Sequence, residues 1–196
     1  MQKLISILFF ILIPLTIVTI SCREKNPEIL IRTEYGDIEA ELYINKAPIT
    51  VNNFLRYIKE DRLKDAVFYR VVRMDNQPND SIKIEVVQGG LYDEDHPQLL
   101  PPIPHETTEI TGLSHLNGTL SMARYGPGTA TCEFSIMVGD QPELDFGGKR
   151  NPDGQGFAAF GRVTSDMDVV RKIQSQPADG QYLNPFVKIK EIKLLP

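Results

Sequence analysis

Tryptophan is absent from the 196 residues and cysteine occurs only twice, at Cys22 and Cys132. The chain can therefore assemble neither a disulfide framework nor a cysteine-built zinc site. Basic residues are also scarce: 21 Lys and Arg stand against 26 Asp and Glu, for a formal net charge of −5. With no long basic run, a partner held by its phosphate backbone is disfavoured, and no nucleic acid is expected. Three histidines, His96, His105 and His115, remain as candidates for metal chemistry. Their spacing follows no helical register and reads as solvated loop residues, so no metal is assigned. What is plentiful is apolar: 41% hydrophobic and 24% charged residues suffice for one compact domain with a core and rule out a disordered tail.

Lys3 is the single charge before an uncharged run from Leu4 to Ile20 that closes on Ser21-Cys22. This is the pattern of a secretion signal. Thr19-Ile20-Ser21-Cys22 resembles the lipobox of bacterial lipoproteins, in which cleavage falls just before a cysteine whose thiol is then acylated; Thr19 departs from the usual Leu at that position. Two other readings compete: an uncleaved single-pass anchor, for which the run is slightly short and broken by Pro14, and cleavage at another small residue. Acyl chains contribute about 0.8 kcal/mol per buried methylene. The expected organisation is a signal peptide over residues 1–21, a lipid-anchored tether over 22–27 with Cys22 as the lipidation site, and one folded domain over 28–196. That domain is expected to be exported and held at a bacterial membrane, on the periplasmic side of the outer membrane. With Cys22 acylated, Cys132 has no partner in the chain and is expected to be a small buried residue.

From Ile29 the chain is strand-like, Tyr35-Gly36-Asp37 supplies turn chemistry, and Ile38, Ala40, Leu42 and Ile44 then alternate with Glu39, Glu41 and Tyr43, which predicts an antiparallel hairpin with one buried face. Pro48 suits a first helical turn, and Val51, Phe54, Leu55 and Ile58 fall at helical spacing behind it. Short β-rich runs recur at Val67–Arg73, Ile82–Gln88, Gly118–Ala123, Glu133–Val138 and Phe157–Val163. A second helix is expected near Ser165, as its N-cap, with Asp166 and Asp168 in the first turn and Met167, Val170 and Ile173 on its apolar face. The closing strand Phe186–Leu194 shifts its apolar phase between Ile189 and Ile192, which requires a one-residue bulge near Lys190 and Glu191. The fold class is mainly β, one barrel with two flanking helices.

Four segments stand out chemically. Arg70 sits among apolar neighbours in Val67–Val72, and strict alternation puts it on the same face as Phe68 and Val72. Val86-Val87-Gln88-Gly89-Gly90 ends on a glycine pair, where backbone can come close to a ligand. Residues 118–140 place two strand-like stretches around a loop dense in Gly and Thr, and Phe157–Val163 is a short apolar strand.

In this order, F-x-R, Q-G-G, G-x-L-S-M-A, E-F-x-I and F-G-x-V, the chain resembles the cyclophilin family of peptidyl-prolyl cis/trans isomerases from about Glu28 to Leu194. The resemblance implies a closed eight-stranded antiparallel barrel capped by two helices, activity on X-Pro bonds, and no cofactor. It implies that Arg70 is the catalytic arginine and Gln88 the glutamine that positions it, with Phe68 and Phe134 as aromatics of the active face. It also implies that the Ala123-Arg124 backbone pairs with a bound peptide, with Val86, Glu133 and Phe157 lining the substrate site. Partners would be proline-containing polypeptide segments, and a monomer is expected.

The chain departs from the family at the proline pocket, where Glu85, Val86, Ser135, Asp145 and Phe157 align with apolar or aromatic walls and GGKRNPDGQG, residues 147–156, is an insertion. Three functions remain open on sequence alone: an isomerase acting on exported proteins, a weakly active or inactive peptide-binding module on the membrane surface, and a domain that props up a lipid-anchored assembly and binds no peptide. The segment 92–117 and the loop 75–81 carry no readable motif.

Overall fold

The computed structural model describes residues 25–196; the expected signal segment and Cys22 lie outside the described residues. β1 (Glu28–Thr33) and β2 (Asp37–Leu42) form the opening hairpin, with Ile38, Ala40 and Leu42 turned inward and Glu39 outward. α1 (Pro48–Lys59) follows with proline in its first turn and buries Val51, Phe54 and Leu55. Then come β3 (Val67–Val72), β4 (Val86–Gly90), the single-turn α2 (Thr108–Thr111), β5 (Thr119–Met122) and β6 (Phe134–Met137). The chain ends with β7 (Ala158–Ser165), α3 (Met167–Gln174), the two-residue β8 (Ala178–Asp179) and β9 (Tyr182–Leu194). Strands run β1-β2-β7-β5-β6-β4-β3-β9, and β9 pairs back onto β1, so eight antiparallel strands close into a barrel; β8 adds only a short edge to β9.

Closure removes the open sheet edges and gives one interior, filled by residues such as Ile31, Leu42, Phe68, Val87, Leu120, Phe134 and Phe160. α1 seals one mouth with Phe54, whose ring lies 5.4 Å from Phe134 and 5.3 Å from Phe160. At the opposite end α3 inserts Val170 and Ile173, and the Gln174 side chain donates to Val72 O. The bulge expected in the last strand is present: Arg32 pairs with Glu191 and Thr33 with Ile189, skipping Lys190.

Two expectations need correction. A third helix, α2, exists beside the two foreseen; Thr107 caps it through a bond from Ile110 N, and Gly112 ends it in the left-handed region at φ 64°. The cap of α3 is Asp166, at φ 68°, with no side-chain cap bond, while Ser165 is the last residue of β7. Only Asp168 of the two aspartates is therefore in the first turn.

Candidate active site

A bulge in β3 creates the site. Phe68 pairs with Gly89 and Arg70 with Gln88, leaving Tyr69 unopposed, so the inside-outside alternation slips by one residue. Phe68 and Val71 face the barrel interior, whereas Val72 belongs to a separate apolar cluster on the outer face. Tyr69 and Arg70 both end outside. This corrects the expectation that Phe68 shares a face with Arg70. Phe68 and Phe134 are fully buried, their rings 5.7 Å apart edge to face, and form barrel core rather than an active face.

Arg70 is held on two edges. Its Nη1 donates to Gln88 Oε1 at 2.8 Å, and its Nε and Nη2 donate to Gln181 Oε1 at 2.9 and 2.5 Å. Gln88 is itself oriented, because its Nε2 donates to the Tyr69 hydroxyl at 2.5 Å. Of the five N–H groups of a guanidinium, these bonds engage three. The other two, one on each Nη, take no part in these bonds. Burial pulls the Arg70 pKa below its ordinary value, yet a guanidinium starts so high that it stays charged at physiological pH.

Register extends this pair into a row across the outer face: Arg70 opposite Gln88, Gln88 opposite Ser135, Ser135 opposite Ser121. Two residues along the strands, Val72, Val86 and Met137 form the outer apolar cluster with Ile84 and Leu144, and Phe157 packs against it. Val86, at 3% exposure, is thus a packing residue beneath the surface, a correction to its expected place on the substrate wall. Phe157 is half-buried.

Leu144 and not Asp145 supplies the apolar wall. Leu144 is 3% exposed within that cluster, delivered by a 3₁₀ turn over Pro142–Leu144. The Asp145 carboxylate turns away to accept from His115 N at 3.0 Å and lies 2.6 Å from His115 Nδ1. His115 Nε2 lies 2.8 Å from Ser121 Oγ. The histidine expected to be a solvated loop residue is buried in this row. Carboxylate, imidazole and hydroxyl follow the order of an acyl-transfer triad, but Ser121 is 2% exposed, so the row serves to fix the wall rather than to attack a substrate.

Ala123 and Arg124 follow β5, with Ala123 N donating to Glu133 O at 2.8 Å. The Arg124 side chain is 0% exposed although the residue as a whole is half-buried, so what it presents to solvent is backbone. Its guanidinium folds inward: Nη1 and Nη2 grip Asp153 at 2.7 and 3.0 Å, Nε donates to Gly156 O at 2.9 Å, and the head group stacks 5.1 Å from the Phe157 ring centroid. Those bonds hold the Asp153 carboxyl down to about 2. The insertion over residues 147–156 is thereby tied to the floor beside Ala123.

Glu133, expected among the substrate contacts, is engaged within the chain. Its Oε1 accepts from Tyr92 N at 3.0 Å, and burial raises its pKa. The Q-G-G turn is shaped by this carboxyl: a Cβ on Gly90, at φ 150°, would collide with it, and one on Gly89 would sit 2.7 Å from Phe68 Cδ1. Cys132 is buried, as expected, and burial pushes its thiol up to about 12.

Sequence reasoning missed Gln181, Tyr69, Leu144 and Arg150. Arg150 joins the loop before β4 to the 147–156 insertion, with Nη1 2.6 Å from Ile82 O and 3.1 Å from Asp80. Neither Gln181 nor Arg150 lies in a motif. Tyr69 was in view, but its outward turn depends on the bulge.

The fold and site together define a closed antiparallel barrel whose outer face carries an arginine clamped by two glutamines beside a buried apolar cluster. The model of the cyclophilin-type peptidyl-prolyl cis-trans isomerase/CLD family matches residues 28–194. A peptidyl-prolyl cis-trans isomerase of Acinetobacter baylyi is 33% identical over 171 residues, covering 87% of this chain and 84% of the relative. Peptidyl-prolyl cis-trans isomerase B of Escherichia coli is 35% identical over 143 residues, covering 72% of this chain and 80% of its own length. Among solved structures, a cyclophilin-type isomerase of Cryptosporidium parvum superposes with a TM-score of 0.68 at 20% identity, covering 87% of this chain and 98% of that one. The same Cryptosporidium protein crystallised in the presence of the dipeptide Ala-Pro superposes with a TM-score of 0.66. The chain belongs to the cyclophilin-type peptidyl-prolyl cis-trans isomerase family, and it is an enzyme of that class.

Proposed function

We propose that Arg70 is the catalytic residue of an isomerase that turns X-Pro bonds in exported proteins at a membrane surface. The observation that carries this reading is the guanidinium fixed on the outer face by Gln88 and Gln181 with one N–H left on each Nη. Rotation about an X-Pro bond faces a barrier of about 18–20 kcal/mol because amide resonance must be lost. When resonance breaks, the prolyl nitrogen gains a lone pair that it lacked in the planar ground state. A donor already aimed at that lone pair binds the twisted state better than the planar one, which is what lowers a barrier. The half-buried Phe157 offers the ring a wall, and the half-buried stretch at Ala123-Arg124 offers the preceding residues an edge to pair with. A five-decade acceleration requires about 7 kcal/mol from these contributions together.

Export rests on the uncharged run Leu4–Ile20 and the lipobox-like Thr19–Cys22. In a bacterial host the wild-type chain should take up labelled palmitate and sediment with membranes, and Cys22→Ala should do neither. A wild-type chain found unlabelled in the soluble fraction would remove the anchor.

The second reading, a peptide-binding module of slow turnover, is favoured by the burial of Val86 and Leu144, which leaves little apolar wall on view. A protease-coupled assay on an X-Pro peptide separates the two. Acceleration above background that Arg70→Ala abolishes supports the isomerase; measurable peptide affinity without acceleration supports the module.

A further inference from the structure

We propose that Gln181 is a positioning residue for the reaction, one that sets the plane of the Arg70 guanidinium; this rests on the isomerase reading above. Gln88 alone cannot set that plane. A single bond to Nη1 leaves the head group free to pivot about the Nη1–Oε1 line and to swing through its side-chain torsions. Gln181 Oε1 accepts from Nε and Nη2 together, at 2.9 and 2.5 Å, and a two-point grip on the other edge removes that freedom. The guanidinium is then fixed by acceptors on two sides, and its remaining N–H groups point out of the clamp.

Gln181 can do this because its own position is determined at two points. Its backbone O accepts from Val71 N at 2.8 Å, directly after the arginine it holds. Its Nε2 donates to Asn76 O at 3.3 Å, which settles which amide atom faces Arg70. Asn76 is braced in turn: its side chain donates to Val71 O at 3.0 Å and Gly180 O at 3.1 Å and accepts from Arg73 N at 2.7 Å. The loop over residues 75–81, which carries no motif, thus acquires a role as the support that aims Gln181. Preorganised donors act because they need no rearrangement when charge develops, so the loss of this support should appear in turnover rather than in binding.

The test compares Gln181→Ala with Gln181→Glu in the folded chain. The residue is only half-buried, so both variants are expected to fold. Gln181→Ala should lower kcat at least tenfold with KM within twofold of wild type, and Gln181→Glu, which keeps an acceptor for Nε and Nη2 but loses the Nε2 donor to Asn76 O, should recover part of that loss. In parallel, NMR exchange of the Arg70 Nε–H with water should be at least tenfold faster in Gln181→Ala than in wild type. An unchanged kcat in Gln181→Ala, or a loss that Gln181→Glu does not recover, would overturn the proposal. If the wild type itself shows no acceleration, the isomerase reading fails separately, and Nε–H exchange decides: faster exchange in Gln181→Ala upholds the clamp, unchanged exchange removes it.

Discussion

Replacing Arg70 by lysine keeps the positive charge and removes the fork. The guanidinium meets Gln88 Oε1 through Nη1 at 2.8 Å and Gln181 Oε1 through Nε at 2.9 Å, and these contacts lie on opposite edges of one rigid plane. An ammonium places its three donors on a single atom, so it can approach one glutamine oxygen closely or point at the prolyl nitrogen, but it cannot be held from both sides while doing so. Loss of one preorganised donor costs about 2.7–4 kcal/mol in the transition state, or 10²–10³ in kcat. The retained charge places Arg70→Lys near the lower limit, about a hundredfold loss. KM should stay within about threefold, because the Arg70 head group is held by Gln88 and Gln181, while the substrate's wall and edge are assigned to Phe157 and the Ala123-Arg124 backbone. The protease-coupled assay over a range of peptide concentrations separates kcat from KM, and thermal melting confirms that the variant is folded. Should Arg70→Lys keep more than a third of the wild-type kcat, charge alone would account for the site and the case for a held fork would be refuted.

Phe134→Ala, which empties the edge-to-face contacts with Phe54 and Phe68, should cost about 3–5 kcal/mol in urea denaturation, while the folded fraction turns over within about threefold of wild type; a hundredfold loss of kcat without loss of stability would return Phe134 to the active face. Burial raises the Glu133 pKa, so the folded chain holds that proton more tightly than the unfolded one, and stability should fall as pH rises from about 4.3 through the raised folded value. Glu133→Gln should remove that decline and raise the urea midpoint at pH 7, with the difference from wild type vanishing at pH 4. Arg150→Ala should leave global stability within about 1 kcal/mol, since Asp80, its partner, is well exposed, but should speed proteolytic nicking within residues 75–85; an unchanged nicking rate would show that the clasp does not restrain that loop.

How much of this was readable beforehand depended on whether a side chain's surroundings are local in sequence. The opening hairpin declares itself because Glu39 and Glu41 interrupt an apolar series, and α1 because Pro48 precedes residues at helical spacing. The bulge at Lys190 was legible since charged residues mark the phase on both sides of it. Arg70 and Gln88 were found through motif order. Gln181 was not, because it stands 111 residues from its partner on a loop whose shape is set by contacts to Asn76. The burial of His115 is not legible in the sequence because nothing nearby reveals Asp145 and Ser121 as its neighbours, and the Asp145 carboxylate, engaged by His115, faces away from the wall that Leu144 builds.

The bulge at Tyr69 shows what governs the rest. In Val-Phe-Tyr-Arg-Val-Val every neighbour of the arginine is apolar, so no charged residue marks the phase and strict alternation is the natural reading. With strict alternation, Phe68 inside the barrel would put Arg70 inside with it, an unpaired cation in an apolar core, which is prohibitively costly. The alternative phase would put both outside and strip the interior of a ring that packs on Phe134. One inserted residue resolves the conflict: Phe68 stays in the core, Arg70 emerges beside Gln88 and Gln181, and Tyr69, left unopposed in the ladder, turns out to meet the Gln88 amide. The irregularity that defeats the sequence pattern is thus the same one that lets a single strand put Phe68 in the core and Arg70 between the two glutamines.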